Sequence, residues 1–240
     1  MRVRGDRECS DCGQRWSYFE TGTIACPNCG SRHSVGRGGR RRHTDGDQSL
    51  DLSASMEQAA TGSIEAALET ALDPCRSYVH SRGFIAGGEL TDLDDRYLLA
   101  AELRYCAGGR NRRSGYTDPE RRYLLALFRS TMGDQRPPPS AVPDRFRFAR
   151  GLAVAEGVSE YRRAIRQVTD VDDRGTSIAT AVEAIDDVTT RIEQLDGDVP
   201  PASAEVVLET ARTIGSAVRS GDAGAVEAVS QRLGRLEWSV

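Results

Sequence analysis

Four cysteines near the N-terminus form the pattern that most clearly indicates chemistry in this sequence. They stand as two pairs, Cys9-Ser-Asp-Cys12 and Cys26-Pro-Asn-Cys29, and a glycine follows each pair. Two intervening residues let both sulfurs of a pair reach one ion, and the glycine suits the positive φ that ends such a turn. Four thiolates fill the tetrahedral shell of zinc. We therefore predict one structural zinc bound by Cys9, Cys12, Cys26 and Cys29, with no position open for a substrate.

Iron is the alternative metal, because rubredoxin-like sites also use two CxxCG units. The related rubrerythrins combine such a unit with a helical bundle whose Glu-x-x-His motifs hold paired iron. In this sequence His33, His43 and His80 are the only histidines, and none stands three residues after a glutamate. Zinc is therefore the first expectation and iron the second.

The segment between the cysteine pairs is predicted to form a β-hairpin. Trp16 and Tyr18 alternate with their neighbours as in a strand, residues 20–23 offer a turn, and Ile24 begins the return strand. A module of about 40 residues buries too little apolar surface to fold alone, whereas metal binding can contribute on the order of 10 kcal/mol. We expect the aromatic side chains to pack over the metal site rather than to stack on bases.

These residues resemble a known class of zinc-binding domain. Residues 9–30 resemble a zinc ribbon of the transcription factor IIB type. The whole chain, which opens with Arg2-Val-Arg-Gly-Asp-Arg-Glu-Cys9 and continues into a helical remainder, resembles an uncharacterised haloarchaeal family with an N-terminal ribbon of that type. The resemblance implies the ribbon fold and the four cysteine ligands, and it implies no activity.

After the ribbon, the apolar residues recur with the period of a helix. Helices are predicted to begin near residues 63, 91, 117, 143, 178, 200 and 222. Pro74 lies inside the first of them and predicts a kink or a division into two helices. Thr117 and Glu120 have the spacing of a capping box. The predicted fold is a small N-terminal β zinc ribbon followed by an all-α bundle of about seven helices.

The chain is predicted to have two domains joined by a linker. The ribbon covers residues 1–43, the linker residues 44–52, and the all-α domain residues 53–240, with a possible subdivision near residues 169–173. No stretch is long and apolar enough to span a membrane, and the N-terminus lacks the apolar core of a secretory signal. We therefore expect a cytoplasmic protein.

The basic residues are all arginine, 32 in total, and their distribution is uneven. We expect GC-rich coding or adaptation to salt to be the reason for the absence of lysine, with a functional preference for arginine as the alternative. Residues 1–50 carry a net charge of +3 and residues 106–150 of +6, whereas residues 51–105 carry −6 and residues 151–240 carry −7. Two basic zones permit a polyanionic partner without requiring one.

Two arginine clusters are the candidate nucleic-acid contacts. One follows the ribbon and is made flexible by its glycines, so that it is either a phosphate contact or a solvated linker. The other opens the second basic zone, where many arginines are expected to pair with acidic helices. The candidate residues are Arg40, Arg41, Arg42, Arg110, Arg112 and Arg113.

Catalytic motifs for nucleotide binding, hydrolysis or metalloproteolysis are absent from the sequence. Cys75 and Cys106 are expected to be small buried helix residues, and His80 has no orienting partner in a nucleophile motif. We therefore predict a non-enzymatic zinc-ribbon protein that contacts nucleic acid or the transcription machinery. The alternative is a protein–protein adaptor, and an enzyme with a polar pocket around His80 is the third hypothesis.

Overall fold

The N-terminal residues form a three-stranded antiparallel sheet in a computed structural model of the chain. The structure describes residues 1–46, 49–108, 115–131, 133, 135–169, 177–222, 224, 226 and 233. Strand β1 lies between the two others, so that the order is β2-β1-β3. The strands are β1 (Arg2–Cys9), β2 (Arg15–Ser17) and β3 (Ser34–Arg42), and a single helical turn, α1 (Tyr18–Thr21), follows β2.

The hairpin expected within residues 14–25 is wrong. Strand β2 pairs with β1 instead, in the register Arg7 opposite Trp16, and the chain after β2 turns into α1, which ends at Gly22 with φ of 64°. Strand β1 has a weak sequence signal because Val3 is its only strongly apolar residue before Cys9. Pairing with two neighbours, rather than side-chain hydrophobicity, makes this segment a strand.

Helices dominate the rest of the described chain, which confirms the general layout of a small sheet followed by a helical region. Pro74 lies inside one continuous helix, and the helix expected near residue 222 lies mainly outside the described residues. The helices are α2 (Ser53–Ala60), α3 (Ile64–Ser81), α4 (Asp95–Ala107), α5 (Asp118–Ser130), α6 (Arg147–Val168), α7 (Ser177–Gln194) and α8 (Pro201–Ser220).

Local hydrogen bonds explain where two of these helices begin. The Asp94 carboxylate accepts a hydrogen bond of 2.8 Å from the backbone N–H of Tyr97 at the start of α4. The Glu120 carboxylate accepts one of 2.8 Å from the N–H of Thr117, which confirms the predicted capping box of α5. Each bond satisfies a backbone donor that the helix itself leaves free.

A short β-hairpin between α3 and α4 interrupts the helical region, which the sequence did not predict. It consists of β4 (Ile85–Ala86) and β5 (Glu89–Leu90). Phe84 and Ile85 are buried, and the Phe84 ring packs against the rings of Tyr97 and Tyr161 at centroid distances of 5.1 and 5.3 Å. The hairpin is therefore anchored in the core, although its strands are only two residues long.

This hairpin also contacts the N-terminal sheet. The N–H of Gly88 donates to the carbonyl of Arg42, and the N–H of Thr44 donates to that of Ile85, both at 2.8 Å. The Nδ1 atom of His43 accepts a hydrogen bond of 3.3 Å from the N–H of Gly87. The first residues of the predicted linker 44–52 are thus held by the helical region, while the division into two domains stays a prediction.

A buried ionic network ties the helices together. The Glu102 carboxylate, which is 0% exposed, accepts hydrogen bonds from Arg150 Nη1 at 2.8 Å and from the Tyr123 hydroxyl. Arg150 also donates to Glu205 at 2.9 Å, and Glu205 accepts from Arg136 at 3.0 Å. Helices α4, α5, α6 and α8 therefore share one network, in which each buried charge has an opposite charge beside it.

Within the part of the chain that the structure describes, the helices include none that is both long enough and apolar enough to cross a membrane.

The Arg150→Met variant is expected to lose about 3–5 kcal/mol of unfolding free energy, because it removes the closest cation from the buried Glu102. Urea unfolding at pH 7 measures the loss. Replacing both partners, in R150M/E102L, should cost much less, because no buried charge is left alone. A loss below about 1 kcal/mol in the single variant would contradict the role that we assign to this pair.

His43 predicts a pH dependence of stability. Burial lowers the pKa of its imidazole below the usual 6.5; the Asp45 carboxylate opposes this effect and the N-terminal ammonium adds to it. The stability that neutral His43 contributes is therefore present above about pH 6.5 and is lost as the pH falls through the lowered pKa.

We expect the wild type to lose stability relative to His43→Gln between pH 7.5 and 5.5, as measured by urea unfolding. Glutamine still offers an acceptor to Gly87 but does not titrate. His80→Gln, at an exposed position, is the matched control and should keep the wild-type pH dependence. Parallel curves for the wild type and H43Q would refute the prediction.

Candidate metal centre

The four cysteines predicted from the sequence lie together in the structure. Their Sγ atoms all lie within 4.8 Å of one another. The distance is 3.6 Å from Cys9 Sγ to Cys29 Sγ and 3.5 Å from Cys12 Sγ to Cys26 Sγ. A disulfide would need about 2.05 Å, whereas zinc with Zn–S bonds of about 2.3 Å places its sulfurs about 3.8 Å apart. The spacing therefore fits four sulfurs around one ion.

Each cysteine pair has the same backbone turn. The N–H of Gly13 donates to the carbonyl of Cys9 at 3.0 Å, and the N–H of Gly30 donates to that of Cys26 at 2.8 Å. Both glycines have positive φ, 74° and 72° respectively. A residue with a side chain would be strained in that region, which explains why glycine follows each pair.

The sheet holds the two turns at their distance from each other. Cys9 is the last residue of β1 and is paired with Ser34 of β3, which begins just after the second turn. The N–H of Ser10 donates to the carbonyl of His33 at 2.8 Å and links the first turn to the residue just before β3. Two distant parts of the sequence thereby present their sulfurs to the same point.

Burial differs within each pair. Cys9 and Cys26 are buried, at 2% and 3% exposure, whereas Cys12 and Cys29 are exposed. The buried sulfurs face the interior of the small module, and the exposed ones lie toward solvent. An ion at this position would be enclosed on one side by protein and covered on the other side only by two cysteines.

The pKa values of the two exposed thiols are shifted in opposite directions: that of Cys12 is lowered and that of Cys29 is raised. The backbone N–H of Gln14 lowers the pKa of Cys12 to about 6. The N–H of Ser31 lowers the pKa of Cys29, but the neighbouring sulfurs, with Cys12 first, outweigh it and raise the pKa to about 12. Adjacent sulfurs resist joint deprotonation unless a cation neutralises them. Four thiolates with no carboxylate in the set match the preference of zinc.

His33 lies beside this centre without belonging to the sulfur cluster. It is exposed, one residue before β3, and its Nδ1 atom lies 3.6 Å from a carboxylate oxygen of Asp11. The Asp11 carboxylate also accepts a hydrogen bond from the Ser31 hydroxyl. These contacts connect residues of the two turns at the surface.

Two of the aromatic residues expected over the metal site, Tyr18 and Phe19, lie elsewhere, whereas the Trp16 indole N–H donates to the carbonyl of Thr23, three residues before Cys26, at 3.1 Å. Tyr18 and Phe19 pack against the imidazole of His43, with centroid distances of 5.9 and 5.0 Å. Phe19 also fills the space beside Gly5, where a Cβ would lie 1.9 Å from the ring. These rings therefore hold the sheet against the helical region, because the turn of α1 directs them away from the cysteines.

The first arginine cluster is part of the sheet, so its predicted flexibility is wrong. Arg40, Arg41 and Arg42 lie in β3 and pair with residues of β1, which sequence reasoning did not identify as a strand. The glycines before them form a bulge rather than a free segment, with Gly38 at φ of 69°. The other candidates, Arg110, Arg112 and Arg113, lie outside the described residues.

Arginines of the second basic zone pair with acidic residues, as expected. Arg121 lies 3.4 Å from a Glu65 oxygen, and Arg145 lies 3.3 Å from Glu120. The buried Arg150 pairs with Glu102. These charges are compensated within the fold, which reduces what they offer to a polyanion.

The other two cysteines have no catalytic setting. Cys75 and Cys106 are buried in α3 and α4, and burial raises the pKa of Cys75 to about 12 and that of Cys106 well above its usual value. A buried protonated thiol is a poor nucleophile. His80, five residues after Cys75, is exposed and does not form a pair with it.

Comparison with known proteins links the chain to one family. A model described as a family of unknown function (DUF7117) matches residues 1–233. No curated protein and no solved structure shows a significant match to the chain.

Cys26→Ser is expected to lower the zinc content of the purified full-length chain from about one ion to near zero. Four ligands close the shell, and a serine hydroxyl does not replace a thiolate. Elemental analysis by mass spectrometry measures the metal, and hydrogen exchange over residues 2–42 measures the order of the sheet. Cys75→Ala, which removes a cysteine outside the cluster, is the control. One equivalent of zinc in C26S would refute the assignment of Cys26 as a ligand. If protein purified from native cells contains iron, the assigned metal is iron rather than zinc.

Proposed function

The chain belongs to this family of unknown function, DUF7117, and from its geometry and charge we propose that it is a non-enzymatic zinc-ribbon protein that associates with nucleic acid. The four cysteines are positioned to coordinate a metal ion. Their all-sulfur donor set and closed shell support zinc in a structural role, with iron as the alternative. The metal in this proposal orders the sheet and takes part in no reaction.

The ribbon type in this proposal is that of transcription factor IIB. Its support is the pair of glycine-ended cysteine turns joined to a three-stranded antiparallel sheet. An origin in salt-loving archaea accords with a composition that has arginine and no lysine. The partner of such a module would be found inside the cell, in line with the expected cytoplasmic location.

The positive net charge of the N-terminal module is the main support for association with nucleic acid. Residues 1–43 contain nine arginines and four acidic residues, a net charge of +5, whereas residues 44–240 contain 23 arginines and 32 acidic residues, a net charge of −9. The basic charge is therefore concentrated on the sheet that the metal orders. Phosphate contacts by arginine are the main source of affinity for nucleic acid.

A protein–protein adaptor is the second candidate, and exposed apolar side chains favour it. The large hydrophobic residues that are well exposed in the described chain all lie in the N-terminal module: Met1 at 74%, Ile24 at 47% and Val35 at 46%. Exposed apolar residues on a rigid small module can form the centre of a protein contact. Three such side chains make at most a small apolar patch, so the charge argument is the stronger one.

An enzymatic role has less support. A half-open groove of about 710 Å³ runs along α3, α4 and α6 and includes His80, Glu156 and Glu160 in its lining. Glu156 bonds to Arg104, and Glu160 to Arg163 at 2.5 Å. Burial raises the pKa of Glu156, and Arg104 opposes this effect. Both carboxylates are engaged by arginine, so a substrate would have to break an ion pair to reach either of them.

We expect the purified, zinc-loaded full-length chain to bind a 20-base-pair mixed-sequence DNA duplex or a 20-nucleotide single-stranded RNA. Fluorescence anisotropy at 25 and 250 mM salt measures the affinity, which should weaken steeply with salt because bound phosphates release counterions. C26S is expected to bind more weakly, and C75A, which keeps the cluster intact, should bind like the wild type. No binding to either probe at 25 mM salt would refute the nucleic-acid association and leave the adaptor role.

A further inference from the structure

Four arginines lie on one face at one end of the sheet. In the β1–β3 register, Arg2 is opposite Arg42 and Arg4 is opposite Arg40. Residues directly opposite each other in an antiparallel pair share a face, and so do residues two apart on one strand. The four side chains Arg2, Arg4, Arg40 and Arg42, which we call the arginine quartet, therefore emerge on the same side.

That side is the one facing solvent. On the opposite side, Gly5 faces the ring of Phe19, and the side chain of Arg41 lies against Gly88 of the β4–β5 hairpin. On the quartet side, Arg2, Arg4 and Arg40 are exposed and Arg42 is partly exposed. On the other side Gly5 is buried and Val3 is partly exposed, while Arg41, whose stem lies against Gly88, is also exposed. The inner face of the sheet is thus used for docking on the helical region, and the outer face is open.

The quartet lacks acidic partners among the described residues, in contrast to the rest of this face. Further along the same face, Arg15 and Arg37 both pair with Glu8, at 3.1 and 3.2 Å. Within the described part of the chain, the side chains of the quartet make one hydrogen bond, from Arg4 to the carbonyl of Gly36 at 3.5 Å. Asp6, opposite Arg37 on the same face, brings the acidic residues at the Glu8 end to two, which balance Arg15 and Arg37. At the other end, no carboxylate of the described residues lies within 4 Å of a quartet guanidinium, so the quartet keeps its charge.

Keeping four like charges together has an energetic cost. Opposed like charges across a strand pair are destabilising, and their side chains lie only about 5 Å apart. Hydrogen bonds hold the strand ends together despite this repulsion: the N–H of His43 donates to the carbonyl of Met1 at 2.8 Å, and the N-terminal ammonium donates to the carbonyl of His43 at 3.0 Å. The backbone positions of the four arginines are therefore fixed before any partner arrives, so binding has only their side chains to order.

The spacing fits a polyanion better than a single small anion. Side chains two apart on a strand are separated by about 6.6–6.8 Å, and the two rows are about 5 Å apart. One phosphate cannot contact guanidinium groups over that whole area, whereas a nucleic-acid strand carries one charge for every 3.4 Å or so of helix rise. Arginine also binds phosphate oxygens through two N–H groups at once.

We propose that the arginine quartet is the surface that binds the sugar–phosphate backbone of nucleic acid, without reading its sequence. This inference rests on the proposed function, which names the partner class without locating its binding surface. The contacts are to phosphate, so that affinity depends on charge and strand geometry rather than on bases.

The test compares R2Q/R4Q/R40Q/R42Q with a control that removes four exposed arginines from helical segments, R76Q/R96Q/R122Q/R129Q. Both variants change the net charge by the same amount. With the DNA duplex, the quartet variant should lose about tenfold or more in affinity at 50 mM salt. Its slope of log K against log salt should flatten by about 3–4, since each phosphate contact contributes about 0.9. The control should keep a slope close to that of the wild type.

Three further measurements keep the outcome decisive. Zinc content and hydrogen exchange show whether the quartet variant still folds, and R2K/R4K/R40K/R42K, which keeps the charge, should retain most of the salt slope. Equal losses in the quartet and control variants, with the wild type binding well, would overturn this inference and leave the proposed function standing. A wild type that binds neither nucleic-acid probe would overturn both, as would binding only to vesicles that contain phosphatidylserine.

Discussion

The convergence of four cysteine sulfurs is the constraint on which the N-terminal module depends. Apart from Cys9 and Cys26, its residues contribute almost nothing to the buried apolar core. A sheet of this size gains too little from burial to offset the entropy lost on folding. The two turns that carry the sulfurs are joined through β1 and β3, so the pairing that brings the four sulfurs together is also the register of the sheet. That register in turn places the arginines.

The helical region has the opposite character. Its core is formed by apolar side chains on α3, α4, α6 and α8 and is crossed by an ionic network centred on Glu102 and Arg150. Close packing of α6 against the turn after α7 requires glycine, because a Cβ on Gly151 would lie 2.1 Å from the carbonyl oxygen of Gly197. The sheet docks on this body through the β4–β5 hairpin and His43. One face of the sheet is therefore occupied, and the other is available to a partner.

Two of the errors in sequence reasoning share a cause. Strand β1 and the strand character of Arg40–Arg42 were missed because neither segment has the apolar alternation that marks a half-buried strand. The pairing of β1 with β3 is stabilised by contacts at the two ends of the strands. The cysteine turns lie at one end, and the contacts of His43 and Gly88 lie at the other. The β4–β5 hairpin was missed for a similar reason: its strands are two residues long, and besides pairing with each other they are held by contacts with Thr44 and Arg42.

The sequence by itself determined the cysteine cluster, the general layout of a small sheet followed by helices, and the capping box of α5, because each follows from spacing along the chain. Tertiary structure alone decided that Arg2 and Arg4 join Arg40 and Arg42 on one open face, and that Arg121, Arg145 and Arg150 are neutralised by neighbouring carboxylates. The sequence gives the net charge of a segment, but not which of its charged side chains are paired. Whether an arginine is free to bind a partner depends on which side chains the fold brings within a few ångströms of it, and that distance is set by contacts between residues far apart in the chain.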